Sequence, residues 1–306
     1  MAGVITTGNT PKALWPGIFS WYGRGYDETN QEWKNLFEIQ DSKQQYEELV
    51  SVTGFGLAPV KPEGSGVNYD SEIQGFVTRA VHVSYGLGYI VTKEEIADNL
   101  YKEVAETRGQ ALGFSGRQTK ENVAANIYNR GFNSSYPMGD GQSMLNVAHP
   151  NASGGTFSNM LAVGADLSEA SLEDLTIQIM GAQDDRGLLI NLMPKSLIIP
   201  RQEVYNAQRI LKSTFQSGTA NNDINAINNM NIFPEGIKLN RYLTSPHAFF
   251  IRTNIPSRNG LIHFKRTAAE FTQDNDFDTE NMKYKYYERY SFVCGDVRAI
   301  FGSNGP

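Results

Sequence analysis

The sequence predicts an α+β fold in which a compact mixed centre carries extended pieces that cannot form a core alone. Three patterns predict it. The closing strand alternates without a break: Tyr284, Tyr286, Glu288, Tyr290, Phe292 and Cys294 share one face, and Lys283, Lys285, Tyr287, Arg289, Ser291 and Val293 share the other. A helical pattern of about 38 residues runs from Thr92 to Arg130, far beyond the usual length of 11–12. A hairpin-like stretch over residues 51–91 has too little neighbouring sequence to cover it.

Residues 1–50 do not read as a domain. Gly, Pro and Thr dominate the start, and Trp15, Phe19, Trp21, Tyr22, Tyr26, Trp33 and Phe37 follow, including all three tryptophans of the chain. So much aromatic surface with so little periodicity must lie on something else, either the rest of the chain or a neighbouring copy. Over 51–91 the return strand places Val77, Arg79, Val81, Val83, Tyr85 and Leu87 on one face and Thr78, Ala80, His82 and Ser84 on the other. The Gly- and Pro-rich stretch between the two arms marks a broad tip, not a two-residue turn.

Thr92 and Glu95 form a capping box that opens the long helix, with Ile96, Leu100, Val104 and Leu112 as one apolar stripe and Val123, Ala124 and Ile127 as a second. Gly113-Phe114-Ser115-Gly116 between them predicts a kink or break. A turn-rich stretch over 133–166 follows. Then come a helix from Ser168 or Ser171 to Gln183 with Leu172, Leu175 and Ile179 inward, a buried strand Ser196–Ile199, and a helix opened by Pro200 with Val204, Ala207 and Leu211 inward. The run 221–231 is Asn-rich and reads as a polar loop; short strands are expected at 237–243, 248–253 and 261–264.

Composition bounds the function. The chain has 306 residues, 40% of them hydrophobic, with 27 Lys and Arg against 33 Asp and Glu for a net charge of -6. That balance argues against a protein whose main work is gripping nucleic-acid phosphates. No apolar run reaches the ~18 residues of a membrane span, and the first residues lack the pattern of a secretory signal. A single cysteine, Cys294, makes no internal disulfide and no zinc cage.

Catalytic frames are missing. Gly86-Leu87-Gly88 lacks the third glycine of a dinucleotide loop, and no phosphate-loop spacing occurs. His82, His149, His247 and His263 stand in no metal-binding frame. Asp274, Asp276 and Asp278 begin like a calcium loop, but Thr279 replaces its glycine and Lys285 its final glutamate. No nucleophile elbow exists, and Cys294 reads as a small buried hydrophobe. No catalytic residue, metal or cofactor is expected.

The order of parts resembles the major capsid proteins of tailed bacteriophages, whose Hong Kong-type fold is shared with encapsulin shells. The residues carrying the resemblance run mainly from Gly141 to Asn225. They are LNVAHP (Leu145–Pro150), SNMLAVGADLSEASLEDL, DDRGLLINLMPKSLIIPRQEVYNAQRILKS and NDINAI. These are structural signatures, not catalytic ones. The resemblance implies an N-terminal arm (1–50), an extended loop over an adjacent subunit (51–91) and a spine helix (92–132). It further implies a peripheral domain from 133–166 and 271–306, and an axial domain over 167–270. It implies self-assembly in rings of five and six into an icosahedral shell around double-stranded DNA, with a separate scaffolding protein, a portal and a possible decoration protein as partners. It places the chain in the virion, assembled in the host cytoplasm. Trp15, Phe19, Trp21, Tyr22, Trp33, Lys61 and Tyr69 become the expected contacts between subunits. Some members crosslink a loop lysine to a neighbour's asparagine; Lys61 stands on this loop, where an ordinary surface lysine is the simpler expectation. Two other readings share the sequence data: an encapsulin-like compartment around a protein cargo, and an unrelated α/β enzyme.

Overall fold

The computed structural model describes residues 22, 23, 25–27, 31–97, 101–216, 223–255, 260–276 and 278–305, with the side chains of 101–106 outside that description. Its strands are β1 (Glu38–Asp41), β2 (Tyr46–Val52), β3 (Gln74–Val81), β4 (Val83–Val91), β5 (His149–Pro150), β6 (Thr156–Phe157), β7 (Pro194–Ile199), β8 (Ile237–Leu239), β9 (Phe249–Thr253), β10 (Leu261–Asn275), β11 (Met282–Cys294) and β12 (Ile300–Ser303). Its helices are α1 (Lys93–Ala97), α2 (Tyr101–Asn129), α3 (Glu169–Met180), α4 (Val204–Lys212) and α5 (Ala226–Asn229). Among the described residues no helix is long and apolar enough to cross a membrane.

The closing strand β11 organises one sheet, ordered β1-β10-β11-β4. Its alternation holds: Tyr284, Tyr286, Glu288, Tyr290, Phe292 and Cys294 are buried, while Lys283, Lys285 and Tyr287 face outward. Its partner β10 was expected as a short strand over 261–264 belonging with the axial elements. It instead runs fifteen residues and pairs with β11 from Leu261↔Cys294 to Asn275↔Met282. Irregularities between Lys265 and Glu270 shift the register. An inserted residue breaks the period of two, and so hides the second half of the strand from a sequence reading. The second sheet, β12-β9-β7-β8, takes its edge from the C-terminal residues. The two sheets therefore exchange chain segments across the division drawn at 270.

The expected ribbon over 51–91 is shifted and divided. Its ladder pairs β2 with β3, from Tyr46↔Val81 to Val52↔Gln74, and residues 53–73 carry no strand. The return strand does not continue as one ribbon, because the chain turns at His82 and β4 joins β11. His82 is buried there, with Nδ1 2.9 Å from Ser291 Oγ and Nε2 2.9 Å from Ser42 Oγ.

The spine α2 is continuous through Gly113–Gly116, so the expected break is absent. The glycines serve close approach instead. A Cβ on Gly113 would lie 2.5 Å from the Tyr22 carbonyl oxygen, and one on Gly116 would lie 3.0 Å from the Tyr286 ring. Between Leu112 and Tyr128 the buried stripe of the helix is correspondingly small or charged: Gly113, Gly116, Arg117, Lys120, Glu121, Ala124 and Ala125. Spacing of three and four puts all of these on one face. Thr92 caps α1 as expected, accepting from the Glu95 amide at 3.3 Å.

The axial elements follow the sequence reading closely. Ser168 caps α3 in a reciprocal pair with Ser171, and Leu172, Leu175 and Ile179 are buried. Leu197 and Ile199 on β7, and Ala207 and Leu211 on α4, join them in one core, while Ile198 on β7 faces the other core. The Asn-rich stretch is more than a polar loop: Asn225 caps α5, and its amide donates to the Ile210 carbonyl and the Ser213 hydroxyl.

A buried ion pair fixes the spine on the sheet. Lys120 donates to Glu288, which also accepts from the Tyr286 and Tyr26 hydroxyls, and both charged side chains are almost fully enclosed. Burial pushes the Lys120 ammonium below its ordinary range, opposed by the adjacent Glu288 charge. The same burial, followed by the Glu288 charge, holds the Tyr286 and Tyr26 phenols above theirs. Breaking such a pair leaves a bare charge in the core, a cost of about 3–5 kcal/mol, whereas replacing both partners by apolar groups is often neutral. Glu288→Gln is therefore expected to lower the unfolding free energy by about that amount, and Lys120→Met with Glu288→Leu to recover most of it. Denaturant titration of the two variants reads this; equal losses in the single and the double variant would contradict it. Gly113→Val should cost about 1–3 kcal/mol in the same assay, because its side chain meets backbone.

Candidate assembly interface

The long loop 53–73 leaves the body from a polar base. His149, from the LNVAHP stretch, is buried with Nδ1 2.5 Å from Asp140 Oδ2 and Nε2 3.2 Å from Asn159 Oδ1. Asn159 in turn donates to the carbonyls of Met144, Val297 and Ile300. Beside it Arg298 bonds Asp185 and Asn151 at 2.9 and 3.0 Å and covers the Phe157 ring. Asp140, His149, Asn151, Asp185 and Arg298, with Ser51, Phe76 and Thr78 of the ribbon, line a cleft of about 60 Å³. Both nitrogens of His149 are thus engaged in bracing the turn. Arg186, from the Asp-Arg-Gly turn, donates to the Ser71 carbonyl and lies 3.6 Å from Asp70, tethering the far end of the loop.

Beyond this base the loop exposes what a soluble chain normally hides. Leu57, Val60 and Tyr69 are 83%, 93% and 96% exposed, with Phe55 and Val67 beside them. Ile177 on α3, Tyr205 on α4, Leu189 and Ile224 also face solvent. Single exposed apolar residues are ordinary, but contiguous groups mark interaction sites.

The residues expected at subunit contacts separate into three groups. Lys61 and Tyr69 stand exposed on the loop. Tyr22 and Trp33 turn inward, which corrects the expectation that they reach a neighbour. Tyr22 stacks on Phe271 at 4.8 Å, and Trp33 lies in the core with Leu36, Phe37, Tyr128 and Phe292. The groove between α2 and β11 is wide enough to bury both within their own chain, where burial of aromatic area is strongly favoured. Trp15, Phe19 and Trp21 lie outside the described residues. The sequence reading missed Leu57, Val60, Ile177 and Tyr205. Ile177 and Tyr205 were legible as apolar residues on the polar sides of α3 and α4. Leu57 and Val60 sat in the stretch read as the outgoing arm of the hairpin, where residues 53–73 in fact carry no strand.

Among the described residues no group of three or more His, Cys, Asp or Glu could hold a metal ion. The acidic tip is spent locally, since Asp276 pairs with Lys283 at 2.6 Å. Cys294 is buried and donates to the Asp296 carbonyl at 3.2 Å, and burial pushes its thiol above the usual range.

The model of the phage capsid protein family matches residues 76–302. No curated protein matches the chain. Among solved structures it is similar to a virus-like particle from Pyrococcus furiosus, with a TM-score of 0.54 and 13% identity, covering 95% of this chain and 99% of that one. It is also similar to a structure from Mycobacterium phage Patience, with a TM-score of 0.53 and 10% identity over 99% of this chain and 89% of that one. The encapsulin of the holo-SrpI complex from Synechococcus elongatus PCC 7942 gives 0.51 and 11% identity over 99% and 92%. At such identities these likenesses establish a common fold, and the encapsulin shares it as fully as the phage structure. The family match spans the extended ribbon's return strand, the spine and both sheets, and by it the chain belongs to the phage capsid protein family.

Proposed function

We propose that this major capsid protein associates in rings of five and six that close an icosahedral shell around double-stranded DNA, in a tailed bacteriophage assembled in the host cytoplasm. The observation that carries this reading is the bare apolar loop, braced at its base and uncovered at its tip, in a chain of the capsid family. Fully burying side chains such as Leu57, Val60 and Tyr69 is worth about 1.5–3 kcal/mol each. Repeated at several contacts per copy, that offsets the cost of fixing one subunit against the next. Exposed Ile177, Leu189 and Tyr205 on the axial elements fit contacts around the ring axis. A net charge of -6 on every copy suits a wall that must enclose DNA without gripping it. A scaffolding protein and a portal are the partners this reading implies, with a decoration protein as a possible third. The chain's role in this reading is structural and not enzymatic.

Negative-stain microscopy of the purified protein, with scaffold supplied, tests the proposal. Closed particles holding nuclease-resistant DNA when recovered from infected cells are expected; particles filled with a protein cargo would favour an encapsulin-like compartment. A monodisperse monomer at high concentration would overturn both. Leu57→Asp with Val60→Asp is expected to leave thermal unfolding of the subunit within ~0.5 kcal/mol and to abolish particles. Normal particles from that variant would remove the loop from the account.

A further inference from the structure

His263 is a buried titratable group that nothing in shell assembly explains. It lies on β10, 1% exposed, and neither ring nitrogen has a hydrogen-bond partner among the described residues. Its ring is 4.4 Å from that of Trp33, 4.6 Å from Phe292 and 5.7 Å from Tyr290. The Trp33 indole nitrogen and the Tyr290 hydroxyl, both buried, likewise have no partner among those residues. His263 therefore sits directly beneath the segment that carries Trp33 and leads into β1, where Ile39 is its register partner.

That segment is the least anchored part of the sheet. β1 is a four-residue edge strand paired on one side only. Besides the buried side chains of Trp33, Leu36 and Phe37, its holds are polar: Glu121 accepts from the Glu32 and Trp33 amides at 2.8 and 3.1 Å, and Glu32, Glu38 and Asp41 pair with Arg241, Arg252 and Lys265.

The charges facing His263 are predominantly positive. From the spine, Lys120 lies 4.5 Å from the Trp33 ring and 4.9 Å from that of Tyr290, so the aromatic faces already hold a cation. From β10 comes Lys265, and from the segment itself Lys34, 5.9 Å from Trp33. The carboxylate of Glu288 on β11 is occupied by Lys120 and two tyrosines. An imidazolium here would have no acceptor and would repel Lys120.

We propose that His263 is a proton-sensitive lock on the N-terminal segment: neutral, it packs under Trp33 and holds residues 31–41 on the sheet, and on taking a proton it releases them. The direction follows from linkage. Burial, then Lys120 and Lys265, drive its pKa from 6.5 down to about 2 in the docked state. Docking is thus fully favoured above the ordinary histidine pKa and weakens about tenfold per pH unit below it, to about 100-fold at two units. Glu121 cannot supply the effect. Burial raises its pKa, so the docked form takes up that proton more readily than the released one.

Hydrogen–deuterium exchange of the full chain, corrected for intrinsic rates, tests this between pH 6.5 and 4.5. Protection of amides 33–41 is expected to fall about 100-fold relative to those of β9, and His263→Phe, which suits an aromatic box, should abolish that difference. If His263→Phe does not fold, His263→Gln, which also takes up no proton, is read the same way. An unchanged profile in the wild type, or an equal acid loss in the substituted chain, would overturn the lock. The second outcome would assign release to the surface ion pairs.

Discussion

The ion pair between Lys120 and Glu288 sets the terms for the rest of the molecule. It joins the middle of a 29-residue helix to the middle of a 13-residue strand, at a depth where neither charge survives alone. With that contact fixed, the tyrosines flanking Glu288 line up along the helix, and its small residues open a groove beside them. Tyr22 and Trp33 fill that groove from the N-terminal side. β10 and β4 take their register from β11, and β4 carries the ribbon and its loop. The pair also gives a reason for glycines and alanines in the buried stripe of the spine: larger side chains would hold the helix off the strand.

This explains which parts of the fold were legible. The two faces of the closing strand, the core positions of α3, α4 and β7, and the caps at Thr92 and Ser168 could be read directly, because each depends on local spacing alone. The spine was harder. Its inward face is Gly113, Gly116, Arg117, Lys120 and Glu121, which a search for apolar stripes passes over, and its glycines imitate a break. The division at 270 cut β10 in two because its bulge erases alternation. His82 looked like one more position in a ribbon, yet its bonds to Ser42 and Ser291 make it a corner between two sheets. Both serines are remote in sequence, and no local pattern announces them.

For the candidate interface the sequence was informative in kind but not in residue. The aromatic surplus in the first fifty residues called for burial on the rest of the chain or on a neighbouring copy, and Tyr22 and Trp33, named as contacts between subunits, take the first course. The exposed apolar side chains lie on the loop 53–73, where Leu57 and Val60 were read as part of a hairpin arm. In the proposed shell the two regions divide the work. The aromatic segment completes the subunit, and the loop, tethered by Arg186 beside the His149–Asp140 pair, is offered to the next copy.

The central claim is that the loop's bare side chains are completed by another copy of the same chain. An electron cryo-microscopy map of assembled particles tests it most directly. Leu57, Val60 and Tyr69 are expected in contact with a neighbouring subunit, with Tyr22 and Trp33 remaining in their own. A loop folded back on its own subunit, or standing in solvent while Trp33 reaches across, would contradict it.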